Sequence, residues 1–190
     1  MPWPFLYLPG ETLSATELAA ARLDGDVVEV GEAYIPADAV ETAELRAASL
    51  RPLLSPGVAV THVSAAWVHG ALPDPPARHT VQRSSARRLH HVIDNRLHYR
   101  DRRVPPEDVS VIGGVSVTTP ARTLGDLVRG AFAGGEQPAA TAIAMIELFP
   151  GLSGRAAAAL AAAGPVSFKR PALEWLRRQA AQEEVTRYTS

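Results

Sequence analysis

An α+β fold follows from three features of the sequence. Short runs of β-branched residues, each bounded by glycine, proline or aspartate, recur through the first two-thirds of the chain. Helical apolar spacing alternates with these runs rather than following them. After Gly134-Gly135 the strand signal stops, and alanine-rich helical segments take over. The predicted architecture is a truncated winged-helix-like unit over residues 1–38, a mixed α/β body with antiparallel strands over 39–135, and a helical tail over 136–190.

Taken in order, Ser14 followed by Glu17 reads as a capping box, a hydroxyl cap with a glutamate three residues on. It opens a short helix to about Leu23, which Asp24-Gly25-Asp26 ends. Val27, Val28 and Val30 form a strand, Gly31-Glu32 a tight turn, and Ala33 to Ile35 the return strand. Apolar residues at helical spacing from Glu41 to Leu54 predict a second helix, stopped at Ser55-Pro56-Gly57. Val58 to Val60 is a short buried strand. Thr61 caps a further helix holding Val63, Ala66, Trp67 and Val68, closed by Gly70.

Three prolines make 72–77 a loop. His79 to Arg83 and Arg96 to Arg100 are strands, the second with Leu97 and Tyr99 on one face and His98 and Arg100 on the other. Gly113-Gly114 between Val109–Ile112 and Val115–Thr118 is the clearest hairpin signal in the chain. Thr119-Pro120 pairs an N-cap with a proline at the first helical position, opening a helix with Leu124, Leu127 and Val128 on one face. Further helices are predicted at about 137–148, 154–163 and 171–184.

Apolar residues make up 46% of the 190 and charged residues 21%, so the chain can close a core and whole-chain disorder is excluded. With no cysteine, disulfides, thiolate metal sites and thiol nucleophiles are excluded. The first ten residues lack the basic region of a signal peptide, and no apolar run reaches membrane-helix length. The expected compartment is the cytoplasm.

The net charge of −1 hides an uneven layout. Residues 1–50 hold nine acids against Arg22 and Arg46, a net −7. Residues 78–103 hold eight arginines against Asp94 and Asp101, a net +6. Four of the six histidines also lie in the basic stretch. Such asymmetry speaks of partners rather than of fold.

Catalytic motifs are missing. The single lysine, Lys169, has no carboxylate pair at nuclease spacing. There is no G-x-S-x-G, and neither Gly-Gly pair carries the Lys-Ser/Thr of a phosphate loop. His90-His91 are adjacent and cannot chelate one ion from one face of a regular element; His62 and His69 share a helix face and read as a partly buried polar pair. The chain is expected to be no enzyme and to need no metal or cofactor. The remaining candidates are the arginines that could lie along an anionic surface: Arg83, Arg87, Arg88, Arg96, Arg100, Arg102 and Arg103. Three readings stay open for them: nucleic acid, an acidic protein surface (including the −7 segment of a second copy), or plain solvation.

The stretches VEVGEAYIPAD, LLSPGVAVTHVSAAWVHGALP and LHYRDRRVPPEDVSVIGGVSVTTPARTLGDLVR resemble, in order and spacing, the AbiEi-type antitoxins of bacterial toxin–antitoxin pairs. The resemblance covers about Val27 to Arg129. It implies an N-terminal winged helix-turn-helix that binds promoter DNA, and a C-terminal domain directed at a nucleotidyltransferase-like toxin. This chain departs from the pattern in having room for one helix before the hairpin, in a strongly acidic segment. Arg170 to Trp175 also resembles the opening of a nuclease domain fused to some relatives; the preferred reading is an amphipathic helix with Leu173, Leu176 and Ala180 inward. The expected function is a non-enzymatic antitoxin or transcriptional regulator, with a cognate toxin, duplex DNA or a homodimer as candidate partners. The alternative is a dimeric interaction protein with no nucleic-acid role.

Overall fold

The computed structural model describes residues 5–87, 94–135 and 140–189. Helix α1 (Ala15–Asp24) carries both halves of the capping box: Ser14 Oγ accepts from Glu17 N, and Ser14 N donates to the Glu17 carboxylate at 2.8 Å. Gly25, at φ 84°, ends it in the left-handed conformation that glycine tolerates. Strands β1 (Val27–Val30) and β2 (Ala33–Pro36) form an antiparallel hairpin in the predicted register. Tyr7 bridges to Tyr34, tying the N-terminal segment to the hairpin's outer edge.

Helix α2 (Ala43–Ser49) is shorter than predicted. Pro52 supplies no amide donor and disfavours helix for the residue before it, so the chain tightens into a 3-10 turn over Arg51–Leu53. Strand β3 (Val58–Val60) is wholly buried, as expected. Helix α3 (His62–Val68) follows at once. Thr61 stands at its N-cap position but does not cap it; the hydroxyl turns to Thr80 O on the neighbouring strand at 3.4 Å.

The five-stranded sheet has the order β5-β4-β3-β7-β6, built from β3, β4 (His79–Arg83), β5 (Leu97–Arg103), β6 (Val109–Ile112) and β7 (Val115–Thr118). It is mixed. The β3–β4 and β6–β7 pairs are antiparallel, while β3–β7 and β4–β5 are parallel. The β6–β7 turn is as predicted. Gly113 sits at φ 56°, and a Cβ there would collide with the Glu44 carbonyl, so the absent side chain lets this hairpin close on α2.

Helices α4 (Pro120–Ala133), α5 (Ala140–Leu148), α6 (Leu152–Ala162) and α7 (Lys169–Thr189) complete the chain. The Thr119 hydroxyl caps α4, accepting from Arg122 N at 3.3 Å. In α7 the inward face is Ala172, Trp175 and Leu176, with Leu173 and Ala180 half-buried at its margins. Among the described residues no single helix is long and apolar enough to cross a membrane.

Two cores result. One joins the hairpin, α2 and the sheet through Val30, Ile35, Leu45, Leu50, Val60 and Val117. The other joins α4 to α7 through Leu124, Met145, Leu152, Leu160 and Leu176. Helix α3 lies between them, giving Ala65, Trp67 and Val68 to the first and Ala66 to the second. Trp67 is fully buried, and the Arg46 guanidinium stands 5.4 Å from its ring centroid. His79, also buried, lies 5.9 Å from the same ring. Trp67→Ala is expected to cost about 3–5 kcal/mol in urea denaturation, from lost burial and the cavity left behind; a loss below 1 kcal/mol would contradict a core role.

Candidate binding interface

Strand β5 is an edge of the sheet, hydrogen-bonded to β4 on one side only. Leu97 is buried and Tyr99 half-buried, while His98 and Arg100 are exposed, so the period of two holds at its start. It then breaks. Gln82 pairs with Arg100 but Arg83 pairs with Arg103, so Asp101 and Arg102 form a bulge that re-aims the last side chains.

The candidate arginines divide by what they touch. Arg83 is mostly buried; it pairs with Asp101 at 3.2 Å and donates to Ser85 O and Ala86 O, pinning the chain that leaves β4. Arg96 precedes β5, its amide held by Asp94 at 2.7 Å and its guanidinium paired with Glu32 in the hairpin turn. Part of the charge asymmetry is thus satisfied inside one molecule. Arg100 donates to His62 Nε2 at 3.2 Å. Arg87, Arg102 and Arg103 are exposed, and among the described residues their side chains form no hydrogen bond or ion pair. Arg88, His90 and His91 lie outside the described residues.

Behind Arg102 and Arg103 stands a second group of charges. Asp126, 3% exposed, accepts from Arg122 Nε at 2.7 Å and Arg129 Nη1 at 3.0 Å. Arg122 also donates to Asp108 at 2.6 Å, and Arg129 to Ser167 O at 3.0 Å. This network ties the entry to β6, helix α4 and the α6–α7 connection together. Arg122 and Asp126, four residues apart on α4, are neighbours on one helix face. Arg129, one further turn along the same face, completes the set and carried no separate signal.

His62 and His69 do not act as a pair. His62 begins α3 at φ 54°, a left-handed backbone that costs a non-glycine residue energy. Because a guanidinium can only donate, its Nε2 accepts from Arg100, and its Nδ1–H donates to Thr61 Oγ1 at 2.9 Å. Burial foremost, with the Arg100, Arg122 and Arg129 charges adding to it against the opposing pull of Asp126, lowers its pKa to about 4. His69 donates through Nε2 to Thr118 O at 2.8 Å and meets the Phe149 ring edge-on. Burial likewise brings buried His79 to about 4, with Arg96 adding to the shift. Among the described residues no group of three His, Asp or Glu side chains is placed to hold a metal ion.

The described residues thus form a mixed sheet backed by a helical bundle, with an arginine-bearing edge strand. Residues 58–147, from β3 through most of α5, match the model of the AbiEi antitoxin C-terminal domain, which supports an AbiEi-type antitoxin family for this part of the chain. The matched stretch contains the whole five-stranded sheet, the α4 network and the exposed arginines. A search of curated proteins found no match. The matched domain supports a toxin–antitoxin role.

Two expectations follow from these contacts. Asp126→Asn leaves two partly buried guanidiniums short of a counter-charge and should cost roughly 3 kcal/mol in thermal or urea unfolding; a neutral result would show that the network is not structural. His62 and His79 are held neutral in the fold, with pKa values lowered from 6.5 to about 4. Between those values the unfolded chain binds protons that the folded chain does not. Their contribution is therefore intact above the unfolded pKa of 6.5 and lost as pH falls toward 4, by up to about 3 kcal/mol for each. Urea midpoints measured between those pH values should fall with pH, and His79→Phe should flatten the slope.

Proposed function

We propose that the protein is the antitoxin of a toxin–antitoxin pair and acts without catalysis, by holding its cognate nucleotidyltransferase-like toxin through the arginine-bearing edge of its sheet. The observation that carries this reading is the exposure of Arg102 and Arg103 at the end of an edge strand with no internal partner among the described residues. Unpaired guanidiniums on a fixed edge favour an anionic surface and discriminate against a basic one. Arg87 extends the patch on the loop after β4.

Duplex DNA is the second reading, and the same three arginines favour it. Pairing them with backbone phosphates would release the cations condensed on the duplex. The N-terminal unit adds little to a DNA complex. Among the described residues, α1 precedes its hairpin, and that helix carries exposed Glu17 and Asp24 against Arg22. A phosphate backbone laid against it would be repelled.

The test uses the purified protein, a neighbouring nucleotidyltransferase-like toxin measured by calorimetry, and labelled duplexes from the upstream region and from unrelated sequence measured by fluorescence anisotropy. Toxin binding that weakens by about tenfold or more in the Arg87→Ala, Arg102→Ala, Arg103→Ala triple variant supports the first reading. Binding to the upstream duplex alone, with a salt slope that flattens in the same variant, supports the second. A triple variant that binds toxin and duplex as the wild type does would clear this edge of both roles.

A further inference from the structure

Between the end of β5, helix α4 and helix α6 lies a cleft of about 500 Å³, within the range of small-molecule pockets. Its walls differ in chemistry. Ala156, Ala159 and Leu160, at i, i+3 and i+4 on α6, make one wall apolar. The cleft is also lined by Arg102 and Arg103. Asp108 and Asp126 also line the cleft, but Arg122 and Arg129 already engage them. Of the lining acids, Glu107 alone forms no ion pair among the described residues, where Arg102 and Arg103 likewise have no partner.

The floor holds the decisive residue. Gly125 sits one turn after Arg122 and one turn before Arg129 in the middle of α4, and it is buried. Glycine there weakens a helix relative to alanine. No neighbour requires it: a Cβ at this position would meet no heavy atom within 4 Å beyond the helix's own backbone, and the backbone is not left-handed. A buried glycine with open space above its Cα preserves a hole, and the hole is this cleft.

We propose that the cleft binds a small organic anion, a carboxylate or phosphate on a flat apolar body, with its charged head at Arg102 and Arg103 and its body over Gly125 against Ala156, Ala159 and Leu160. Bidentate guanidinium bonds fix the head, and the small side chains of α6 let a planar group approach closely. The inference does not rest on the antitoxin reading. Gly125 lies off the β5 edge, so its substitution separates the cleft from the interface.

The experiment titrates the intact protein with anilinonaphthalene sulfonate, an aromatic anion whose fluorescence rises in apolar sites. Its uncharged analogue, phenylnaphthylamine, is run beside it. The expected result is saturable binding at one site per chain. Gly125→Leu, which fills the hole, should weaken it more than about tenfold, and Arg102→Ala with Arg103→Ala by about tenfold, as for a lost charge-assisted hydrogen bond. Gly125→Ala should weaken it less while leaving the melting temperature unchanged or raised. Unsaturable binding, equal affinity for the uncharged analogue, or wild-type affinity in a folded Gly125→Leu protein would overturn the proposal. If Gly125→Leu does not fold, wild-type affinity in both Gly125→Ala and the arginine variant would overturn it.

Discussion

The fold depends on one short helix held from both sides. Helix α3 has seven residues, too few to persist alone, and all but Val63 are buried. It survives because Arg46 fixes its C-terminal end. That single guanidinium donates to Trp67 O at 2.6 Å and to Leu72 O at 2.8 Å, lies over the Trp67 ring, and pairs with Glu41. The last carbonyls of a helix are acceptors without helical donors, and a cation suits them. Ser64 answers at the other end, its hydroxyl accepting from Thr80 N at 2.8 Å. Once α3 is in place, the sheet and the helical bundle each have a surface to close on.

Local chemistry was legible in the sequence, and long-range choices were not. The capping box at Ser14, the Gly113-Gly114 turn and the Thr119-Pro120 start each depend on a few neighbouring residues, and the structure contains all three as read. The parallel pairing of β4 with β5 depends on a crossover that no short window describes. Thr61 shows the same limit at one residue: its position is that of a cap, yet a strand carbonyl nineteen residues away takes the hydroxyl. The arginines show it in charge. Sequence spacing grouped seven of them, while folding committed Arg83, Arg96 and Arg100 to internal acceptors and brought Arg122 and Arg129 of helix α4 up beside the end of β5.

The basic and acidic halves of the chain therefore meet a different fate from the one their separation suggests. Arg96 and Glu32 close part of the dipole within one molecule, and Arg46 spends its charge on carbonyls and Glu41. Asp126 gathers two more arginines under the sheet. Among the described residues of the basic stretch, Arg87, Arg102 and Arg103 reach the surface without an internal partner, and Arg100 reaches it bonded only to a neutral histidine. A basic stretch read from composition alone overstates the positive surface a partner would meet.

The bulge and the charges at the end of β5 also bear on colloidal behaviour. An edge strand offers unpaired amides and carbonyls to any passing strand, and proteins guard such edges with charge and irregular backbone. Here both guards sit on Asp101 to Arg103. Residues that would recognise a partner are thus the same ones that keep copies of the chain from zipping together. Loss of binding and loss of solubility share a cause on this edge, and substitutions that retain charge while changing its sign tell them apart.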